Sequence, residues 1–480
     1  MSTSHANRLA EIVGTANCLT EQADLSSFTT DYRKLYTGRA LAVVRPGSTT
    51  EVSAVMKYCF EQGVAVVPQG GNTSLQGGAV PTDSVPDQDC IVLNLVRLNK
   101  VISVDPVNDT MVVQAGVTLA AAREAAEDAG RLFPLRIGSE GSCQIGGNLS
   151  TNAGGVQVLH YGNARQLVLG LEVVTPQGEI WNGLRALKKD NTGYDLRDLY
   201  LGAEGTLGII TRAVLKLWPK PKDVATAWVA VPSPEAAVAL LSGAHAASED
   251  NVTSCELMGR QGIDLVLQHI PGATDPLAER HDWYVLLEWS STRARRDGEN
   301  QGGLREKMEA YLGEAMEQGL VLDATIAQNE TQARALWALR ENHTEASKKE
   351  GPSVKHDISV AVSRIPSFVT DGLAAMRKAL PEGRPVTFGH VGDGNLHFNC
   401  QAPVGWDKAR FTPHARTVTA AIYDLVVSYG GSISAEHGIG LLKVDELAHY
   451  RSQVEIDTMR TIKRALDPQN LMNPGKIVRV

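Results

Sequence analysis

The sequence predicts an α+β protein of more than one domain. Short apolar strands alternate with capped amphipathic helices, three glycine-dense loops fall in the first half, and composition changes after Pro219-Lys220-Pro221, which reads as a linker. At 480 residues and 43% hydrophobic content the chain can bury several cores. The patterns divide it into a helical segment over 1–37, a domain over 38–219, a second domain over 222–440 and a helical segment over 441–480.

Residues 1–37 are polar and read as helical, and a new unit starts at Arg45-Pro46-Gly47. Thr49 to Gly63 is an amphipathic helix: Val52, Val55, Met56, Cys59 and Phe60 recur at helical spacing, and Gly63 closes it. Val64–Pro68, Ile91–Leu95 and Met111–Gly116 are short apolar strands. Thr118 to Gly130 is an Ala-rich helix with Thr118 as its cap and Gly130 as its stop. Strands Leu167–Thr175 and Gly208–Trp218 follow. Beyond the linker, strands Thr226–Val231 and Trp283–Glu288 alternate with helices starting near Ser233 and Gln301, an α+β pattern. Trp337–Thr344 is helical and ends at Gly351-Pro352, and Lys355 opens a strand over Val354–Val362. Arg340 and Thr344, four apart, are expected on one face of that helix.

Bulk properties exclude some functions. A net charge of −8 with interspersed signs argues against nucleic acid, which wants a basic face. The opening residues lack a signal-peptide core and no apolar run is long enough for a bilayer, so a soluble, cytoplasmic protein without a transmembrane segment is expected. The six cysteines, at 18, 59, 90, 143, 255 and 400, form no C-x-x-C pair, which excludes the usual iron–sulfur and zinc-ribbon patterns. Free, mostly buried thiols are expected.

The glycine loops are Gln69–Gly78, Gly138–Gly155 and Leu201–Thr206. Glycine lets backbone N–H groups converge on a phosphate without obstruction by a Cβ. None of the loops fits G-x-G-x-x-G after a strand, and none carries the Gly-Lys-Ser/Thr of a P-loop, so neither a nicotinamide Rossmann site nor an ATPase is supported. Any one of them alone would read as a tight turn. Three on one unit, rich in Asn, Ser and Thr, fit a large diphosphate ligand.

The second half holds Phe388-Gly389-His390-Val391-Gly392-Asp393-Gly394-Asn395-Leu396-His397. Asp393-Gly394 is a two-residue hairpin signal that would set His390 directly across from His397, with Asn399 on the same face. Directly opposed side chains have Cβ atoms about 4.5–5.5 Å apart, close enough to share a divalent metal. Glu436, beside His437 in a glycine-rich segment, would complete a His/His/Glu set with open positions. An ordinary hairpin with two neighbouring histidines is the plain alternative. A metal-dependent hydrolase is the other: it uses the His/His/Glu set but leaves the glycine loops idle.

Pro68–Ser74, Gly146–Gly155 and Gly202–Gly208 resemble the FAD-binding domain of the vanillyl-alcohol oxidase/PCMH flavoproteins, and the second half resembles the FAD-linked oxidase C-terminal domain. Together they resemble the FAD-linked D-2-hydroxy-acid dehydrogenases, the D-2-hydroxyglutarate-oxidising branch in particular, over nearly the whole chain after residue 35. The resemblance implies a PCMH-type two-part FAD-binding domain followed by an α+β substrate domain. It implies non-covalent FAD, because no histidine lies in the glycine loops; His160, just beyond the second, is the one candidate against this.

By the family's motifs, Pro68, Gly70, Gly71, Asn72, Thr73 and Ser74 would hold the FAD pyrophosphate. Gly138, Ser139, Gly146, Asn148, Ser150, Asn152, Gly154 and Gly155 would line the flavin and its phosphates. Glu204, Gly205, Gly208, Ile209 and Ile210 would flank the adenine side, and Asn473 lies in a C-terminal segment returning to the flavin. His390, His397 and Glu436 would hold the metal, usually zinc, and His437 would accept the substrate's hydroxyl proton, a neighbouring cation favouring neutral imidazole. Arg340, Thr344, Lys355, Asn399 and His437 match the family's substrate-binding positions. Arg136 departs from the pattern, standing where a small or uncharged residue is expected. The implied reaction oxidises D-2-hydroxyglutarate to 2-oxoglutarate by hydride transfer to FAD, with D-lactate or broad D-2-hydroxy-acid oxidation as the alternative. With no internal iron–sulfur motif, electrons would leave to an electron-transfer flavoprotein or a quinone-linked carrier. A homodimer is compatible with this reading.

Overall fold

The computed structural model describes residues 2–82, 88–294 and 303–480. The chain divides into two compact units. The first comprises residues 1–155, 162–220 and 436–480; the second comprises 156–161 and 221–435.

The first unit contains two main sheets. In one, Ala42–Val44 and Ala65–Gln69 run parallel to Cys90–Asn94, with Cys18–Leu19 antiparallel at the edge. The parallel connection runs through the helix Thr49–Gln62. Ser48 caps its start by accepting from the Glu51 N–H, and Gly63, at φ 69°, ends it in the left-handed region that glycine enters freely. Val52, Val55, Met56 and Cys59 pack on Val66, Ile91 and Leu93 in one apolar cluster. Each such side chain, fully buried, contributes about 1.5–3 kcal/mol. The other sheet is antiparallel, in the order Val101–Asp105, Thr110–Gln114, Ile209–Lys216, Val168–Val174, Ile180–Gly183. Every residue of Val168–Val174 is buried. The expected helix after Thr118 is present as Leu119–Asp128, with the Thr118 side chain accepting from the Ala121 N–H.

The second unit is built on an eight-stranded sheet. Its order begins Asp323–Ile326, Asp223–Val231, Trp283–Ser291, Val252–Gly259, Arg384–His390, Asn395–Gln401. All of these neighbours are antiparallel. The period of two is visible in the core: Trp228, Ala230, Met258, Tyr284, Leu286, Val386 and Phe388 all join one cluster, closed by Ile263, Val266, Leu336, Trp337 and Leu339 from helices. Pro234–Ala247 is the helix expected near Ser233, which caps it. Gln301 lies outside the described residues, and the helix described there runs Leu304–Glu317. The six cysteines are free, and all but Cys90 are buried. Among the described residues, no helix is long and apolar enough to cross a membrane.

Three local expectations are corrected. The hairpin turn has four residues, Val391–Gly394, not two: His390 pairs with Asn395 and Phe388 with His397. The cause is tertiary. The Val391 N–H donates to the Cys255 carbonyl in the neighbouring strand, so Val391 does not pair with Leu396, and the Asp393 carboxylate accepts from the Asn395 N–H inside the turn. A shift of two residues preserves the face, so the two histidines remain on one side as diagonal neighbours. The expected single helix around Arg340 is interrupted at Asn342, giving Glu330–Glu341 and His343–Glu350. Arg340 is buried and Thr344 exposed. Lys355 and His356 lie between two short strands, Ser353–Val354 and Asp357–Ser359.

Candidate functional site

In the first unit the three glycine loops pack on one another. A Cβ on Gly71 would fall 2.0 Å from the Ser142 carbonyl oxygen, so the first and second loops touch through backbone that only glycine permits. The Gly202 N–H donates to Leu149 O and the Glu204 N–H to Ser150 O, which joins the third loop to the second. Four expected cofactor residues hold left-handed backbone without being glycine: Asn72 at φ 52°, Asn152 at 50°, Glu204 at 49° and Asn473 at 45°. Strain of this kind persists only where the surroundings over-determine it, and it gathers at ligand sites.

The side chains at these positions build the loops. Asn72 donates to the Ser27 and Thr30 carbonyls, Asn152 accepts from the Arg165 N–H, and the Ser150 hydroxyl donates to Gly146 O. Glu204 accepts from the Ile439 and Gly440 N–H groups at 2.7 and 2.8 Å. Burial pushes its carboxyl pKa up against those bonds and the nearby charges of Lys443 and Lys476. Asn473 donates to the Gly78 and Glu204 carbonyls, binding the C-terminal segment to two of the loops. Ile209 and Ile210 are buried at the start of their strand, and Gly208 lies against Tyr200 and Val173. Gly155 is seated on the carbonyl of Arg136.

Buried side chains of the first unit fit a polar cofactor that carries both hydrogen-bond donors and phosphate oxygens. Buried Gln144 Oε1, Gln76 Oε1, Asn473 Oδ1 and Lys476 Nζ have no hydrogen-bond partner among the described residues. Buried polar atoms are nearly always satisfied: the three amide oxygens want donors and the ammonium wants an acceptor, and a ligand carrying both kinds of group would supply them. Gln144 Oε1 stands 3.2 Å from where a Gly70 Cβ would be. Positions for a Cβ on Gly138 and Gly147, in the second loop, are open. Burial lowers the Lys476 ammonium pKa to about 8, opposed by Cys90 and Glu204. A phosphate beside it would supply the missing acceptor. Gln144 was not among the residues singled out by motif, and Lys476 belonged to the motif Asn473-Pro474-Gly475-Lys476 without being given a role of its own. A glutamine and a lysine inside glycine-rich stretches give only a faint signal.

In the second unit, ligating nitrogens of His390 and His397 lie within 4.8 Å of each other. Their rings are edge-to-face with centroids 5.9 Å apart. His390 is directly opposite Glu256 on the adjacent strand, and its Nδ1 lies 2.6 Å from Glu256 Oε1. Arg340 donates from Nε to Glu256 Oε2 at 2.7 Å, its guanidinium 4.7 Å above the Phe388 ring. Burial would raise the Glu256 pKa, but the positive charge and hydrogen bonds of His390 and Arg340 bring it down to about 2. Trp337, one turn before Arg340, donates Nε1 to buried Glu288 and fixes the helix on the sheet. Asn399 is buried and accepts from the His356 N–H. His160 belongs to this unit, on the short helix Val158–Tyr161. Sequence reasoning missed Glu256, a lone acid in an apolar strand with no local pattern.

Glu436 and His437 begin the last segment of the first unit, directly after Ala435 of the second. The Ala435 N–H donates to the Asp357 carbonyl, and the Glu204 carboxylate holds the loop just beyond His437.

Residues 40–183 match the FAD binding domain and residues 220–477 the C-terminal domain of FAD linked oxidases. The fold is shared with a p-cresol methylhydroxylase solved with substrate bound, at a TM-score of 0.73 and 16% identity over 99% of this chain and 97% of that one. It is shared likewise with an alkyldihydroxyacetonephosphate synthase, at 0.72 and 17% over 98% of this chain and 84% of that one. The chain is an FAD-dependent oxidoreductase of the FAD-linked oxidase class, with a PCMH-type FAD-binding domain.

Within that class it belongs to the family of the D-2-hydroxyglutarate dehydrogenases. It is 40% identical to the enzyme of that name from Xanthomonas citri pv. viticola, over 98% of this chain and 96% of that one. It is 37% identical to the mitochondrial enzyme of Arabidopsis thaliana, over 98% and 80%. With the Saccharomyces cerevisiae D-2-hydroxyglutarate–pyruvate transhydrogenase DLD3 the identity is 36%, over 95% and 90%. A flavin-dependent class gives the glycine loops the use that a hydrolase reading left out.

Proposed function

We propose that this dehydrogenase oxidises D-2-hydroxyglutarate to 2-oxoglutarate with FAD and a divalent metal, and passes its electrons to a separate acceptor. One observation carries the reading: a single buried carboxylate gathers His390, from the histidine pair, and Arg340, a fork suited to a carboxylate. The relatives' names support the substrate. Those of Xanthomonas, Arabidopsis and yeast share D-2-hydroxyglutarate, and the yeast name adds pyruvate as a second reactant.

When bound, FAD supplies a two-electron acceptor, and a divalent ion such as zinc supplies a Lewis acid that makes the substrate hydroxyl more acidic. His390 and His397 suit such an ion, because Glu256 accepts a hydrogen bond from the Nδ1–H of neutral His390 and leaves Nε2 as its ligating nitrogen. Glu436 is assigned as the third ligand, and His437 as the base that removes the hydroxyl proton as the C2–H hydride departs. Arg340 and Lys355 hold the distal carboxylate, with Thr344 and Asn399 as further polar contacts. The glycine loops, Gln144 and Lys476 bind and orient the cofactor without a covalent link.

The test is anaerobic mixing of purified protein with D-2-hydroxyglutarate while the flavin's visible absorption is followed. Rapid bleaching is expected, absent with the L-isomer and slow with D-lactate. Flavin that stays yellow with D-2-hydroxyglutarate but bleaches with D-lactate would move the assignment to a monocarboxylate.

A further inference from the structure

We infer that Glu256 is a positioning residue that sets the metal-binding histidine and the substrate-binding arginine as one unit, so that both sites depend on a single carboxylate. The inference rests on the proposed metal and substrate roles of His390 and Arg340. Glu256 is wholly buried in the strand Val252–Gly259. Its Oε1 is 2.6 Å from His390 Nδ1, and its Oε2 accepts from Arg340 Nε at 2.7 Å.

Each bond fixes a direction. A carboxylate on Nδ1 selects the tautomer with Nε2 as ligand, holds the ring plane and makes the ring a stronger donor to a metal. A carboxylate on Nε fixes the guanidinium edge-on, so the terminal nitrogens point away from Glu256 as a fork. Phe388 closes the arrangement. The guanidinium lies over one ring position at 4.7 Å, and the His397 ring packs at 4.8 Å.

Only a carboxylate of this length serves both partners. Glutamine has one acceptor and one donor, so it satisfies either His390 or Arg340 and turns an N–H toward the other. Aspartate keeps the charge but is one methylene shorter, and cannot hold both contacts at their present lengths.

The structural alternative is that Glu256 merely ties a helix to the sheet. The two roles separate in a titration of the flavin-containing protein with zinc against a competing chelator, alongside steady-state kinetics with D-2-hydroxyglutarate. For E256Q and E256D the expected result is zinc affinity lower by about 10–100-fold, the usual consequence of losing an outer-shell partner. KM for D-2-hydroxyglutarate should rise at the same time, with flavin content unchanged. A yellow, folded variant with wild-type zinc affinity and wild-type KM would overturn the inference. So would two variants that both fail to fold, which would make Glu256 a structural anchor. Wild-type protein that binds no divalent ion would instead overturn the metal reading beneath it.

Discussion

The two units reach their sites by opposite means. In the first, recognition is built from backbone: glycines at close approaches, non-glycine residues in left-handed conformation, and side chains that hold the loops together. In the second, the backbone is a regular antiparallel sheet, and the proposed recognition groups are charged side chains buried on one face. A backbone site suits a cofactor that is always the same, because it fixes N–H groups with no rotamers to order. A side-chain site suits a substrate whose charge must be matched. The two should fail differently when mutated, the first by steric intrusion and the second by stranding a charge.

The largest effect is expected in the second unit. Arg340→Ala leaves the Glu256 carboxylate buried with one partner fewer, and breaking a buried pair in this way costs about 3–5 kcal/mol. Chemical denaturation measures that loss. Kinetics then ask what Arg340 does: kcat/KM should fall more for D-2-hydroxyglutarate than for D-lactate. An equal loss on both would remove Arg340 from the distal carboxylate and weaken the contrast between the units.

Gly71→Ala tests the backbone side. The added methyl would sit 2.0 Å from the Ser142 carbonyl oxygen, so one loop must move, at about 1–3 kcal/mol. The purified variant should be pale, with its flavin lost, while zinc binding persists. Wild-type flavin content would mean that the loops yield easily and that the first unit is not built on close backbone contact.

Lys476→Met sharpens the comparison, since Lys476 is a buried cation in the backbone-built unit. It is buried, and burial holds its ammonium pKa down at about 8. In flavin-free protein the folded state therefore binds fewer protons than the unfolded state between pH 8 and the ordinary lysine value, and stability should rise with pH across that window. The methionine variant should lack this rise and be the more stable near neutrality. Its flavin affinity should nonetheless drop by about 10–100-fold, matching a lost charge-assisted hydrogen bond of about 1.5–3 kcal/mol. Unchanged flavin affinity would leave the orphaned ammonium without a ligand to explain it.

What could be read from the sequence followed how local its cause was. The helix Thr49–Gln62 announces itself through its apolar spacing and Gly63, and Leu119–Asp128 through Thr118 and Gly130. The face shared by His390 and His397 was readable because a period of two survives an error of two. The register itself was not, because Val391 is drawn away by Cys255, 136 positions earlier in the chain. Glu256 was illegible for the same reason: its partners His390 and Arg340 are 134 and 84 residues away. The glycine loops were visible as a composition. Which of their side chains are used internally depended on contacts such as Glu204 with Ile439 and Gly440, 235 and 236 residues on.

The smallest predicted effect is the most delicate test of the backbone argument. Asn473 holds φ at 45° while donating to the Gly78 and Glu204 carbonyls. Glycine there removes the conformational strain, but it also gains freedom in the unfolded chain worth about 0.4–1 kcal/mol. These two terms nearly cancel, because Asn tolerates the left-handed region better than other side chains. What remains is the loss of two partly buried hydrogen bonds, each worth about 0.5–1.5 kcal/mol. Asn473→Gly should therefore destabilise by about 1–3 kcal/mol, seen as a lower urea midpoint, with flavin released more readily. A variant as stable as wild type would mean that strain at this position outweighs the bonds, and that the C-terminal segment is held by the loops against its own backbone preference.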